Sequence, residues 1–91
     1  MKVIWTEAAA DDLEEIHNYI QKDSPDSAQR VAKLIYDRIM RLASPLYRGR
    51  PREEDSAFEF VMASLPYIIL YDIVGERIII TAIRHTSRDR T

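Results

Sequence analysis

Two short stretches carry the side chains best suited to chemistry: Arg84-His85-Thr86-Ser87-Arg88 near the end of the chain and Arg48-Gly49-Arg50-Pro51-Arg52 near its middle. Histidine titrates near neutral pH without help, so His85 could give or take a proton. Guanidinium groups are permanent cations whose planar fork of donors fits carboxylate and phosphate, so Arg84, Arg88 and Arg50 could hold an anion. Each has a plainer reading beside it. His85 could be a strand-end residue making structural hydrogen bonds, and Arg48, Arg50 and Arg52 could be a solvated loop, although Gly49 and Pro51 point to a defined turn. His17 sits among apolar residues at helical spacing and reads as a satisfied core histidine. Tyr67 and Tyr71 read as packing residues, Trp5 as core, and Glu59 as a partner for a nearby arginine. The chain has no cysteine, which excludes thiolate metal sites and disulfides. Neither a metal nor a cofactor is expected.

The charge distribution narrows the partners. The net charge is -2, yet the acids and bases are unevenly placed. Every base after residue 40 is an arginine, clustered at Arg41, Arg48, Arg50 and Arg52 and again at Arg84, Arg88 and Arg90. An acidic whole with local arginine clusters argues against strong non-specific nucleic-acid binding, which depends on neutralising many phosphates. It allows a local anion site or an acidic partner.

The elements that must hold these residues follow from spacing and caps. At 91 residues and 46% hydrophobic composition, one domain over 1–91 with one core is expected. Lys2 to Trp5 reads as a short strand ended by Thr6, a good helix N-cap. Leu13, Ile16, His17 and Ile20 recur at helical spacing, predicting a helix from Glu7 to Lys22. Ser24 can cap a second helix with Pro25 in its first turn. Ala28, Val31, Ile35, Ile39 and Leu42 carry that helix to about Ala43, with Leu34, Tyr36 and Met40 off the stripe, either widening the core or marking a partner surface. The short break makes the two helices an antiparallel hairpin. Residues 44–56 read as a loop, followed by strands over Ala57–Met62, Tyr67–Ile73 and Arg77–Ile83 joined by hairpin-length turns. The prediction is an α+β fold in the order β-α-α-β-β-β, the helical hairpin packed on a small antiparallel sheet. The last strand should be interior and run into an exposed polar tail from Arg84. Ile68 and Leu70 point away from Tyr67, Ile69, Tyr71 and Ile73, so the second sheet face should expose apolar groups for a partner to cover. No apolar run could span a membrane, and the start lacks a signal core, so a soluble cytoplasmic protein is expected.

Taken together, Trp5-Thr6, Ala10-Asp11-Asp12-Leu13, Ile16 with Tyr19-Ile20, Ser24-Pro25 with Ala28, and Leu42, Pro45 and Gly49-Arg50-Pro51 make a recognisable series. It continues through Glu59, Pro66-Tyr67-Ile68-Ile69-Leu70-Tyr71 and Ile83-Arg84-His85-Thr86-Ser87-Arg88. In order and spacing this series resembles the RelE/ParE superfamily of type II toxins, the ParE branch most closely. The resemblance implies a small toxin silenced by a cognate antitoxin in a hetero-oligomeric complex. It implies one of two targets: DNA gyrase, as for ParE-like members, or mRNA cut on the ribosome, as for RelE-like members. A fold shared by both cannot choose.

Cutting RNA through its 2′-hydroxyl needs a base, cations for the phosphate and an acid for the leaving oxygen, within hydrogen-bond reach. His85 with Arg84 and Arg50 would be that endoribonuclease site. Members of the superfamily commonly carry an arginine just before the position of Glu59, and in the nucleases an arginine on this strand contacts phosphate; here the residue is Phe58. The favoured reading is therefore a non-enzymatic gyrase inhibitor that contacts its target through Arg84, His85, Thr86, Ser87 and Arg88. A relative that has lost toxicity but still binds antitoxin is the further alternative.

Overall fold

The computed structural model describes residues 1–52 and 57–89, with the side chains of residues 88 and 89 left aside. Strand β1 (Lys2–Trp5) leads through Thr6 into helix α1 (Glu7–Gln21), and α2 (Pro25–Met40) returns antiparallel to it. The caps are those expected. Thr6 accepts a hydrogen bond from the Ala9 N–H and Ser24 from the Ser27 N–H, which satisfies donors that a helix start leaves unpaired. Two short 3-10 turns, Arg41–Ala43 and Pro45–Tyr47, follow α2. Then come β2 (Arg50–Pro51), β3 (Phe58–Val61), β4 (Tyr67–Val74), β5 (Arg77–His85) and a terminal turn of helix, α3 (Thr86–Asp89).

The sheet order is β1-β5-β4-β3-β2. β5 is interior, as its run of isoleucines requires, and β3, β4 and β5 form the expected antiparallel meander. The sheet is mixed rather than wholly antiparallel, because β1 lies parallel to β5, Val3 beside Ile78 and Trp5 beside Ile80. Gly75, at φ 60°, supplies the left-handed residue of the β4–β5 turn.

The core lies between the hairpin and one sheet face: Ala9, Ile35, Ile39 and Leu42 meet Ile69, Tyr71, Ile78, Ile80 and Ile83. Tyr67 and Ile73 pack at its margin, so the alternation read for β4 holds. Its consequence does not. Ile68 is 0% and Leu70 3% exposed, so the opposite face of β4 is covered within the chain and asks for no partner at those residues. Exposed apolar groups lie elsewhere: Leu34, Tyr36 and Met40 stand off the buried stripe of α2, Leu46 and Tyr47 are in the second turn after it, and Val61 and Val74 end β3 and β4.

Two further expectations change. The loop of residues 44–56 is partly ordered structure, since Pro45–Tyr47 forms a helical turn and Arg50–Pro51 pairs with β3; residues 53–56 lie outside the described residues. The polar tail is not a tail. Arg84 and His85 are the last pairs of β5, opposite Ile68 and Tyr67, and the Thr86 N–H donates to the Pro66 carbonyl at 2.9 Å, fastening α3 back onto the start of β4. Backbone pairing outruns the apolar pattern because a ladder needs partners, not hydrophobic side chains.

Candidate functional site

β1 accompanies β5 only as far as Ile80, and there Thr6 takes over, its hydroxyl donating to the Ile80 carbonyl at 2.7 Å. From Thr81 onward β5 has a strand on one side only. The pairs Tyr71–Ile80 and Leu70–Ala82 leave Thr81 as an extra residue, a β-bulge, and its hydroxyl donates to the Leu70 carbonyl at 3.1 Å. The bulge resets the alternation so that Ile83 joins Ile78 and Ile80 in the core and His85 comes to lie beside Tyr67. The outward Ile83 N–H would otherwise be an unpaired donor. Asp12 of α1 accepts it at 2.9 Å and ties the helix to the open edge of the strand.

Between α1 and this half of β5 runs a groove of about 990 Å³, whose lining includes Asp12, Glu15, Tyr19, Tyr67, His85 and Ser87. Its walls carry both signs of charge. Tyr19 is largely exposed at the rim, and burial pushes the Tyr67 hydroxyl above its ordinary value, with the neighbouring Tyr19 adding to the effect. The His85 ring meets Tyr67 edge-on, with centroids 5.6 Å apart. The backbone N–H of Ser87 donates to His85 Nδ1 at 3.2 Å, and the Ser87 hydroxyl lies 2.8 Å from the same nitrogen. A nitrogen that accepts from a backbone N–H holds its lone pair there, so the neutral ring carries its proton on Nε2. The side chain is thereby presented as a hydrogen-bond donor.

The five residues of the C-terminal stretch are thus divided. Arg84, His85 and Ser87 line the groove, although Arg84 pairs with Ile68 and alternates in face with His85. Thr86 opens the terminal turn, and the side chain of Arg88 lies outside the described residues. The loop arginines are not gathered with them. β4 and β3 stand between β5 and β2, which separates Arg50 from His85 by three strand spacings, about 14 Å. Arg50 pairs instead with Glu59 at 3.6 Å, the partnership expected for that glutamate. Arg48 turns inward, its Nε donating to the Leu42 carbonyl at 3.2 Å and its Nη2 contacting the Met1 sulfur. Arg52 is half-buried and its backbone N–H donates to Ala57. Phe58 stacks on Tyr71 with centroids 5.6 Å apart and packs against the core, so no cation stands at that position.

Tyr71 is fully buried, as a packing residue should be, and it also accepts the Gly49 N–H at 2.9 Å. Burial pushes its hydroxyl up, with the Gly49 hydrogen bond and the nearby Arg48 and Arg38 charges pulling the other way. His17 departs from expectation: it is only half-buried, beside a shallow apolar groove with Trp5, Leu13 and Tyr36, and its Nδ1 is 3.5 Å from Asn18 Oδ1. Asp12 is the groove residue that sequence reading missed. It reads as an acid favouring a helix start, and nothing local signals a partner 71 residues away.

Comparison with known proteins agrees with this fold. Residues 3–90 match the model of the ParE toxin of type II toxin–antitoxin systems, parDE. The chain is 41% identical over 80 residues to the putative toxin Y4kP of Sinorhizobium fredii, covering 88% of this chain and 83% of that one. It is 33% identical over 87 residues to toxin RelE2 of Caulobacter vibrioides, covering 96% and 97%. Its fold superposes on a solved structure described as the chromosomal ParDE TA system from P. aeruginosa with a TM-score of 0.83, at 25% identity, covering 93% of this chain and 95% of that one.

Proposed function

Because this chain belongs to the ParE toxin family of type II toxin–antitoxin systems, we propose that it is a toxin that inhibits DNA gyrase by binding it, without cutting RNA. The contact surface is the groove between α1 and the end of β5, with Arg84, His85 and Ser87 on one wall and α3 at its mouth. The observation that carries this reading is the hydrogen bonding of His85. Its Nδ1 is engaged by Ser87 and its Nε2 holds the proton, which suits recognition and does not suit abstraction of a 2′-hydroxyl proton. The separation of Arg50 from His85, and Phe58 packed against the core, support the same side.

The chain acts in the cytoplasm, where a cognate antitoxin encoded beside it holds it in a hetero-oligomeric complex until released. The purified chain without antitoxin should block gyrase supercoiling at micromolar concentration, and His85→Ala should weaken that inhibition about tenfold, as expected for removal of one well-placed hydrogen bond. Undisturbed supercoiling at that concentration rejects the reading. New mRNA ends within translated codons, lost in His85→Ala, would establish ribosome-dependent cleavage instead.

A further inference from the structure

A second polar cluster lies at the opposite corner of the molecule, where the end of α2 meets β3. The Arg38 guanidinium sits over the Phe60 ring at 3.5 Å from its centroid and 5.6 Å from that of Tyr47. Its Nη2 donates to the Tyr47 carbonyl at 2.7 Å, while Nη1 is buried with no hydrogen-bond partner. Arg41, which opens the 3-10 turn after α2, lies 5.6 Å from the same Tyr47 ring. The ion pairs among the described residues are Lys33 with Asp37 and Arg50 with Glu59, so neither Arg38 nor Arg41 meets a carboxylate there. The two cations oppose each other: burial, and then the Arg41 charge, pull Arg38 below its ordinary value. Arg41 is exposed, and the repulsion between these two neighbouring cations is a cost that an anion at the exposed side of the pair would offset.

We infer that Arg38 and Arg41 form a carboxylate-binding site for an acidic residue on a helical or extended segment of the antitoxin. The inference rests on the family reading for the existence of that partner and on the corner's geometry for the site. The exposed Arg41 guanidinium, with Arg38 held beside it on the Phe60 and Tyr47 rings, offers donors to a single planar carboxylate. The surround favours a polypeptide over a nucleic acid. Leu34, one turn before Arg38, is 45% exposed, and Tyr47 is exposed to the same extent, giving an apolar border for an aliphatic neighbour of the acid. A chain with a net charge of -2 offers a polynucleotide little beyond this one point. The site is separate from the α1–β5 groove, so a bound antitoxin segment here leaves that groove's residues unoccupied.

The test uses the full chain and the full antitoxin encoded beside it, with affinity measured at low and moderate salt. Arg41→Gln, at an exposed position, should keep the thermal midpoint and weaken the complex about tenfold; Arg38→Lys, which retains charge but loses the fork, should weaken it similarly. A double-mutant cycle against each antitoxin Asp or Glu should show coupling for one of them and not for the rest. Affinities within twofold of wild type in both variants, with the wild-type complex intact, overturn the site and leave the family reading standing. Absence of any wild-type complex overturns the partner itself. A single-stranded RNA oligonucleotide run in parallel provides the other contrast: if Arg41→Gln weakens RNA binding and spares the antitoxin, the carboxylate assignment is wrong.

Discussion

The two polar regions of this molecule are built on opposite principles. In the α1–β5 groove each awkward group found a partner inside the chain: Asp12 takes the Ile83 N–H, Thr81 the Leu70 carbonyl, and Ser87 fixes the His85 ring. At the α2–β3 corner the backbone is equally well anchored, yet Arg38 keeps a buried nitrogen without a partner and Arg41 adds like charge beside it. Completed hydrogen bonding rigidifies a surface, whereas two adjacent like charges leave a repulsion that an anionic ligand would relieve. In the functions proposed above, the groove would be a preformed contact surface and the corner half of an interface.

The contrast breaks most severely at Gly49, which holds the corner's backbone in place. A Cβ there would stand 1.8 Å from the Glu59 carbonyl oxygen, backbone that cannot move aside without opening β3. Gly49→Ala should cost about 3 kcal/mol or more, as steric insertions into packed regions do. It should also lower the thermal midpoint by more than about 10 °C. A midpoint within a few degrees of wild type would mean that the corner is soft. On the groove side, Asp12→Ala strands the Ile83 N–H at a cost of about 1–3 kcal/mol, read by urea denaturation. Amide exchange should quicken at Ile83 and its neighbours while the corner keeps its protection. Loss of protection at both ends would show the two regions to be one cooperative unit.

The smallest effect concerns Tyr71, which joins the corner to the core. Tyr71→Phe removes the bond to the Gly49 N–H and should cost about 1 kcal/mol. The same tyrosine gives the fold an alkaline limit. Tyr71 and Tyr67 ionise less readily when folded than when unfolded, so the folded chain holds more protons above the ordinary tyrosine range. Their contribution is whole below about pH 10 and is lost as pH rises through the raised folded values. Tyr71→Phe should flatten that alkaline decline, and an unchanged slope would assign it elsewhere.

How much of this was legible in the sequence depended on the range of the interaction. Thr6, Ser24 and Pro25 declare the helix starts because a cap is a local event, and Leu13 or Ile35 declare a buried stripe by spacing alone. The α+β order and the interior place of β5 followed from such signals. The bulge at Thr81 was visible only as a shift of spacing from Ile78 and Ile80 to Ile83, which alternation rules do not anticipate. The end of β5 was read as a tail because arginine and histidine interrupt an apolar run. The exposed second face failed for a related reason: pairing told which way Ile68 and Leu70 point, not what the rest of the chain lays over them. Asp12 with Ile83 and Arg38 with Phe60 join residues far apart in the chain, and no window along it contains both partners. Family resemblance located the C-terminal stretch without distinguishing the roles of its members.

The parallel pairing of β1 with β5 also sets an order of events in synthesis. Lys2 to Trp5 are made more than seventy residues before their strand partners, Arg77 to Ile80. Closing so long a chain segment is slow and entropically costly, and the groove wall formed by β5 appears in the same step. A nascent or prematurely terminated chain therefore carries the helical hairpin and the α2 arginines before it has any groove. The groove wall is therefore completed only after the hairpin it faces has been made.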